Sequence, residues 1–376
     1  MRVPAPAQPD GLPEYADALT IGHARGRGAQ INPPNRFEPV RLSVLGETLD
    51  DAAREHPEGK QVRTVVLFDR ARTIINPVDS PDVGMKWTIN PYRGCEHGCI
   101  YCYARPTHET FGLSCGLDFE TKLFAKHDAP ALLRRELANP KWRGEGITMS
   151  GITDPYQPIE RKLRITRACL GIMAECGQPV SIITKNRLVT RDIDLLGSLA
   201  SRGAAAVFIS LTTLDPELSA KMEPRASSPR DRLKAMEELS AAGIPVGVMT
   251  APIVPGLTDQ EIPALIEAAA SAGATRAGWV LLRLPWQIKD VFLEWARREF
   301  PDRAGKVESR IRDMRGGKLY DARARIRQRG EGPWAAQIAA LHELACKRHG
   351  MTNDRLTLSS DSFQHPELGG QLGLFG

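Results

Sequence analysis

Cys95-Glu-His-Gly-Cys99-Ile-Tyr-Cys102 is the stretch on which the reading of this chain turns. Three of the seven cysteines fall within these eight positions, separated by three and then two residues. Composition alone gives that spacing with a chance of roughly 0.002. The run follows a short β-rich segment and Gly94, so it reads as a loop able to wrap a metal. Three thiolates can hold three irons of a four-iron cluster and leave the fourth iron open to a cofactor or substrate. Electron carriers usually close that position with a fourth cysteine. Cys115 is a candidate for that fourth ligand. Zinc with His97 or His108 is a competing reading, and free thiols are the remaining one.

The rest of the 376 residues sets the context. Hydrophobic residues make up 42% and charged residues 25%, enough for a sizeable core, which excludes a wholly disordered chain. Seven cysteines, an odd number, argue against a disulfide scaffold. Met1–Leu19 is interrupted by prolines and has no apolar run of a leader peptide. Ala241–Leu257, the most apolar stretch, is broken by Gly243, Pro245, Pro252 and Pro255, so no membrane span is expected. The expected compartment is a reducing cytoplasm, where clustered cysteines mean metal or catalysis. Net charge is +5, and 37 of the 50 basic residues are arginine. An arginine-rich surface suits nucleic acid, and compositional bias explains the ratio equally well.

Five regions are expected. Residues 1–40, rich in Pro, Gly and Arg, read as a flexible basic arm. Residues 41–85 read as an extension with short strands at Thr64–Phe68 and Thr73–Ile75 and a turn at Asn76-Pro77. Residues 86–300 form the core. Its strand candidates are Trp87–Asn90, Ile147–Ser150, Val180–Thr184, Ala205–Leu211, Pro245–Thr250 and Ala277–Leu282. Its helix candidates are Ala129–Ala138, Glu160–Glu175, Arg191–Ser201, Arg230–Ala242, Asp259–Ala272 and Ile288–Phe300. Thr258 and Glu261 suggest a capping box, and Gly243 and Gly273 suggest helix stops. Six strand–helix units in series predict an α/β fold with a parallel sheet and right-handed crossovers. Both a doubly wound sheet and a barrel short of eight units satisfy that pattern.

Residues 301–358 read as a basic helical segment. Arg303 to Arg329 carries ten basic residues against Glu308, Asp313 and Asp321, a local charge of +7. This is either a nucleic-acid footprint or a solvated helical face. The last helix, Trp334–His349, has an apolar face of Ile338, Leu341, Leu344 and Ala345. Cys169, Cys176 and Cys346 read as packing residues. Residues 359–376 are a flexible tail ending in Gln371-Leu-Gly-Leu-Phe375.

The pattern C-x3-C-x-aromatic-C, with Tyr101 as the aromatic, resembles the signature of the radical S-adenosylmethionine (SAM) enzymes. The resemblance runs from about Lys86 to Phe300 and implies a partial (β/α)6 barrel. It implies a 4Fe–4S cluster on Cys95, Cys99 and Cys102, whose open iron binds the amino and carboxylate groups of SAM. The reduced cluster then cleaves the sulfonium, and the 5′-deoxyadenosyl radical takes hydrogen from a substrate. An electron donor such as a flavodoxin or ferredoxin is implied too. Cofactor residues are expected at strand ends, as barrels place them. Gly151, Thr153 and Asp154 stand where the superfamily recognises the methionine amino group, in place of the commoner Gly-Gly-Glu. Lys185 is expected to face the cofactor carboxylate and Ser210 a ribose hydroxyl. Arg225 either meets the carboxylate or pairs with Glu223. Tyr101 belongs beside the cofactor, and Ala251–Gly256 lines the adenine. The alternatives are a helix cap for Asp154, a surface position for Lys185 and an ordinary strand end for Ser210.

Within the superfamily the chain is similar to the spore photoproduct lyase group, also described as DNA repair photolyase-like. Thr153-Asp-Pro-Tyr-Gln-Pro-Ile-Glu160, Ile183-Thr-Lys-Asn186 and Met222-Glu-Pro-Arg225 carry the likeness. That lyase returns hydrogen to its product through a cysteine and nearby tyrosines. Tyr101 and Tyr103 match the tyrosine positions, and Tyr103 is the candidate radical relay. Lys141–Asp154, where the donor cysteine would fall, has none. The resemblance therefore implies a relative with another substrate. Gln371, Leu372, Leu374 and Phe375 resemble the peptide by which bacterial replication and repair proteins hold the sliding clamp. These features together lead to a radical SAM enzyme acting on nucleic acid. A protein or small-molecule substrate, or a non-enzymatic iron–sulfur module, are the competing readings.

Overall fold

The computed structural model describes residues 24–37, 61–354 and 356–368. The expected clamp peptide at Gln371–Phe375, most of the expected basic arm and residues 41–60 of the extension lie outside the described residues.

In chain order the first strands are β1 (Val65–Phe68), β2 (Asn76–Pro77), β3 (Trp87–Ile89) and β4 (Tyr92–Arg93). Helix α1 (Asp118–Thr121), β5 (Lys122–Ala125), α2 (Ala129–Leu137) and β6 (Ile147–Met149) follow. Then come α3 (Glu160–Leu163), α4 (Ile165–Cys176), β7 (Val180–Thr184), α5 (Ile193–Ala200), β8 (Ala205–Ser210), α6 (Pro216–Met222) and α7 (Pro229–Ala241). The chain continues through β9 (Val246–Ile253), α8 (Ile262–Ser271), β10 (Arg276–Leu281), α9 (Ile288–Glu299), α10 (Pro301–Asp313), α11 (Ile326–Arg329) and α12 (Pro333–Arg348).

The larger sheet has the order β10-β9-β8-β7-β6-β3-β2. The six strands from β3 to β10 pair in parallel, and β2 adds antiparallel to β3. Each core strand lies beside its predecessor in sequence. That order separates a singly wound, barrel-like sheet from a doubly wound one, which would reverse at a switch point. All six expected core strands are present with ends shifted by a few residues at most. A smaller sheet, β1-β5-β4, lies apart from it.

Alternation sorts the strand residues. Ile147, Met149, Val180, Ile182, Val207, Ile209, Val246 and Val248 share one core with Leu133, Leu170, Met173, Leu196, Met236 and Leu265 of the helices. The alternate residues form the other face, with Thr148 and Ser181 hydroxyls 2.9 Å apart. On that face large residues meet glycines. Phe208 lies opposite Gly247 and Met249 opposite Gly278, and a Cβ on either glycine would come within 2.4 Å and 2.7 Å of them.

Several local expectations are corrected. Residues 24–37 of the expected flexible arm are packed, with Ala24, Arg27, Ala29, Gln30 and Ile31 buried. Asn76-Pro77 is a strand rather than a turn, and Thr73–Ile75 is not a strand. Ile74 and Ile75 instead donate their amides to Glu136. The helix expected over Glu160–Glu175 breaks at Arg164, at φ +54°. The buried Glu160 carboxylate accepts from the Thr166 and Arg167 amides and so caps the second piece. The helix expected from Arg191 begins with a 3-10 turn at Arg187–Asp192, capped by Asn186. No capping box forms at Thr258. Its hydroxyl accepts from Val254 N, and Glu261 ties down Thr213 and Leu214. Gly243 and Gly273 do end their helices in the left-handed region.

The basic segment is not one helical face. It divides into α10, an irregular stretch and α11, and several of its charges are engaged. Arg315 is buried and donates to the Leu282 and Ile326 carbonyls. Arg327 pairs with Asp82, Arg323 with Asp321, and Arg312 with Glu308. Arg310 and Arg329 stack on Trp334 and Trp279. Leu344, expected on the apolar face of the last helix, is exposed, whereas Ile338 and Ala345 are buried. Among the described residues no helix is long and apolar enough to cross a membrane.

Candidate active site

The three-cysteine loop follows β4, just beyond the carboxyl end of β3, and is tied down by several segments. Cys95 N donates to Phe119 O and Ile100 N to Met222 O. Glu96 N donates to the side-chain oxygen of Gln157, itself buried. Gly98 sits at φ +67°, where a Cβ would lie 2.7 Å from Glu120 Oε2. Behind the loop is a fully buried ion pair, Arg105–Glu120, at 2.5 Å. Arg105 also donates to the Cys99 carbonyl at 2.9 Å and the Gly116 carbonyl at 2.8 Å. Glu120 accepts from the amides of Gly28 and Ala29 at 3.0 Å and 2.8 Å. One carboxylate thus joins the N-terminal segment, the cysteine loop and α1.

Burial pushes the thiols of Cys95, Cys99 and Cys102 up, and Cys99 and Cys102 both add to the shift of Cys95. A dry thiolate needs a cation beside it, which is what iron supplies. Among the described residues no three His, Cys, Asp or Glu side chains surround one metal ion. The donor set suits a multi-iron cluster, in which each thiolate meets a different iron. Cys115 does not join it. It packs with Ile31, Tyr101 and Leu284 in another apolar cluster, its thiol pushed up to about 12 by burial. The histidines weighed as zinc ligands are engaged as well. His97 lies 3.4 Å from Asp154 and 3.2 Å from the Asn186 amide, and His108 contacts the Lys122 carbonyl at 2.8 Å.

The strand ends bring the other expected residues to the same edge. Lys185 follows β7. Its charge acts on Cys99 and Cys102, and its Nζ is 5.9 Å from the Tyr101 ring centre. Ser210 ends β8, buried, with its carbonyl accepting from Arg232. Tyr103 donates to the Gly151 carbonyl at 2.6 Å, and Gly151 adopts φ +128°.

Other expected residues hold the frame together. Asp154 is not a helix cap. It accepts from Tyr156 N, Thr184 Oγ1 and Lys185 N, with His97 beside it. A carboxylate offers about four acceptor sites, and these partners match them. Burial pushes Asp154 up, but His97 and the hydrogen bonds outweigh it and hold the group below the ordinary value. Thr153 donates to the Gly94 carbonyl at 2.6 Å. Arg225 pairs with Glu96 at 3.3 Å, within the cysteine loop, and not with Glu223. The Tyr101 hydroxyl donates to Glu223.

Sequence reasoning missed the centre of this frame. Glu223 is buried and bound by Tyr101, Thr212 and Arg232. Despite burial, Arg232 and Lys185 hold its carboxyl down at about 2. Met222-Glu-Pro-Arg225 was the available signal, but the role was given to Arg225. Nothing in sequence marked Arg105, Glu120 or Arg232 as buried charges.

Residues 89–269 match the Radical SAM superfamily. An uncharacterized protein of Mycobacterium tuberculosis is 37% identical over 231 residues, covering 61% of this chain and 67% of that one. An uncharacterized protein of Methanocaldococcus jannaschii is 31% identical over 196 residues, 52% of this chain and 70% of that one. A Pseudomonas phage M6 protein named radical SAM Nalpha-GlyT isomerase is 28% identical over 189 residues, 49% of this chain and 36% of that one. Among solved structures, spore photoproduct lyase complexed with dinucleoside spore photoproduct has a TM-score of 0.54 at 16% identity. That match covers 78% of this chain and 82% of that one. A mutant of the same lyase gives 0.53 at 15% identity over 86% and 89%. At these identities the structural likeness speaks for the fold, a partial barrel. With that fold, a three-cysteine loop at the strand ends and a family match running from β3 to α8, the chain belongs to the radical SAM superfamily of enzymes.

Proposed function

We propose that this enzyme holds a 4Fe–4S cluster on Cys95, Cys99 and Cys102, binds SAM beside it, and acts on nucleic acid in DNA repair or modification. The carrying observation is that the three-cysteine loop meets Lys185, at the end of β7, with the Lys185 Nζ 5.9 Å from the ring of Tyr101 between Cys99 and Cys102. When bound, the cluster and SAM together supply a 5′-deoxyadenosyl radical able to take hydrogen from an unactivated carbon.

The chain's own residues do the rest. The Lys185 ammonium would neutralise the cofactor carboxylate, and the Ser210 hydroxyl would serve a ribose hydroxyl. Gly151, Thr153 and Asp154 shape the loop that would receive the methionine amino group, and Tyr101 and Arg225 brace the cysteine loop through Glu223 and Glu96. Ile152 and Ala104 pack against Cys95 and Cys102, with Cys95 buried and Cys99 and Cys102 half-buried. Tyr103, held on the Gly151 carbonyl, is the candidate hydrogen relay.

The spore photoproduct lyase likeness supports nucleic acid as the substrate class. The absence of a cysteine from Lys141–Asp154 argues against the same dimer-splitting reaction. An electron donor such as flavodoxin or ferredoxin, a cytoplasmic setting and clamp binding through Gln371, Leu372, Leu374 and Phe375 complete the proposal. Deleting residues 371–376 should abolish capture of the protein by a purified clamp.

The test is anaerobic reconstitution with iron and sulfide, reduction, and assay of 5′-deoxyadenosine from SAM. Formation that disappears in Cys99→Ala supports the chemistry. A reduced, iron-loaded protein that neither binds nor cleaves SAM refutes it. Salt-dependent binding to DNA separates nucleic acid from a protein or small-molecule substrate.

A further inference from the structure

The loop between β10 and α9, Leu282-Arg283-Leu284-Pro285-Trp286-Gln287, carries two features that the cofactor site leaves unexplained. The first is Arg283. Its guanidinium lies 4.9 Å over the ring of Tyr103, the residue after the third cluster cysteine. Its Nε is buried and has no hydrogen-bond partner among the described residues. Asp82 is the acid that feels Arg283, but Asp82 is already held by the Arg327 side chain and the Arg325 amide. Arg315, the cation nearby, donates its own hydrogens to backbone carbonyls. Among the described residues no carboxylate is hydrogen-bonded to the Nε of this cation beside the cluster loop.

The second feature is Trp286. It is 58% exposed and sits at φ +50°, a conformation that large side chains rarely adopt. Strain of this kind persists where the surroundings impose it and points to function. Arg36, anchored on Glu109, places its guanidinium 4.1 Å over the Trp286 ring and 4.9 Å from the ring of Phe37, which is also exposed. Trp286 borders a hollow of about 590 Å³ whose wall includes Arg36, Arg312, Lys318 and Tyr320. Arg283 and Trp286 are three residues apart, so their Cα atoms are at most ~11 Å from one another. Cations beside flat rings form the combination that binds single strands.

We propose that this loop is the substrate-reading wall of the enzyme. Arg283 takes a backbone phosphate beside Tyr103, and Trp286, braced by Arg36, stacks the base of an unpaired or extruded nucleotide. The proposal rests on the nucleic-acid reading above and adds which side chains recognise the phosphate and the base.

The test measures equilibrium binding of a fluorescein-labelled single-stranded oligothymidylate, and of an abasic strand of equal length, over a salt series. The full chain with its cluster is used. Trp286→Ala should weaken the thymidylate strand about 5- to 100-fold and leave the abasic strand unchanged. Arg283→Gln should weaken both strands and lower the slope of log K against log salt by about 0.7, and Arg283→Lys should restore the slope. Thermal melts confirm that each variant is folded, and Trp286→Phe, which keeps a ring, should retain most of the affinity.

If the parent protein binds and the variants bind equally, the wall is elsewhere and the nucleic-acid reading stands. Equal loss of both strands in Trp286→Ala overturns base stacking. If the parent protein cleaves SAM but binds neither strand at low salt, the inference falls together with the nucleic-acid reading.

Discussion

Replacing Glu120 by glutamine removes one charge and almost no volume, so it isolates what that carboxylate does. Glu120 is fully buried and receives three donors, the Arg105 guanidinium and the amides of Gly28 and Ala29. Glutamine brings one acceptor and an NH2 group that must face a donor. Arg105, also fully buried, keeps its charge without a counter-ion. Removing one partner of a buried pair costs about 3–5 kcal/mol. For a chain of this length that corresponds to a fall in Tm of about 4–6 °C. The consequence is also local, because Arg27 donates to the Glu120 carbonyl and shares this packing. The assay is thermal unfolding by circular dichroism, with trypsin cleavage after Arg27 and iron content after reconstitution followed in parallel. Glu120→Gln should melt earlier, be cut sooner and hold less iron. A melting point within 1 °C of the parent, with Arg27 still protected, would refute the argument that this pair fastens the N-terminal segment to the cysteine loop.

Two glycines offer opposite outcomes. A Cβ on Gly28 would stand 2.0 Å from the Gly98 carbonyl, so Gly28→Ala should displace the cysteine loop and lower iron loading. Gly171, inside α4 with nothing within 4 Å of its added Cβ, should become about 0.5–1 kcal/mol more stable as alanine, read by denaturant unfolding. Acid should weaken the fold through His108, whose Nε2 faces the Lys122 carbonyl while its Nδ1 is buried without a partner among the described residues. Burial lowers its pKa from 6.5 to about 4, so between those values the unfolded chain binds the proton and the folded one does not. Its contribution, up to about 3 kcal/mol, is fully present above pH 6.5 and lost as pH falls through 4. His108→Gln should flatten the stability profile over that window, and an unchanged profile would sink the assignment.

Much of the architecture was legible because it depends on local periodicity. Alternating β-branched residues marked Val180–Thr184 and Ala205–Ser210, and left-handed glycines marked the ends of α7 and α8. Errors arose where a distant side chain replaced the local partner. Glu261 looked like half of a capping box and instead binds Thr213 and Leu214, forty-seven residues or more upstream. Glu160 looked like the first residue of one long helix; it opens only a short one, and its side chain caps the next. The segment around Arg27 looked too polar to pack, yet its backbone amides are what the buried Glu120 needs.

The cysteine spacing and the six strand–helix units determined the superfamily and the residues at the strand ends, and they carry the proposal for the cluster ligands. All of these are set by short-range order along the chain. Only the tertiary structure decided what those residues do to one another. It turned Asp154 inward to His97 and Lys185 N, paired Arg225 with Glu96, made Glu223 the partner of Arg232, and left Arg283 over Tyr103 with its Nε unbonded among the described residues. The physical reason is that charge identity is written in sequence, whereas burial and pairing arise only when segments tens to hundreds of residues apart are brought to one edge of the sheet. There, desolvation makes every unpaired charge costly and fixes which ones meet.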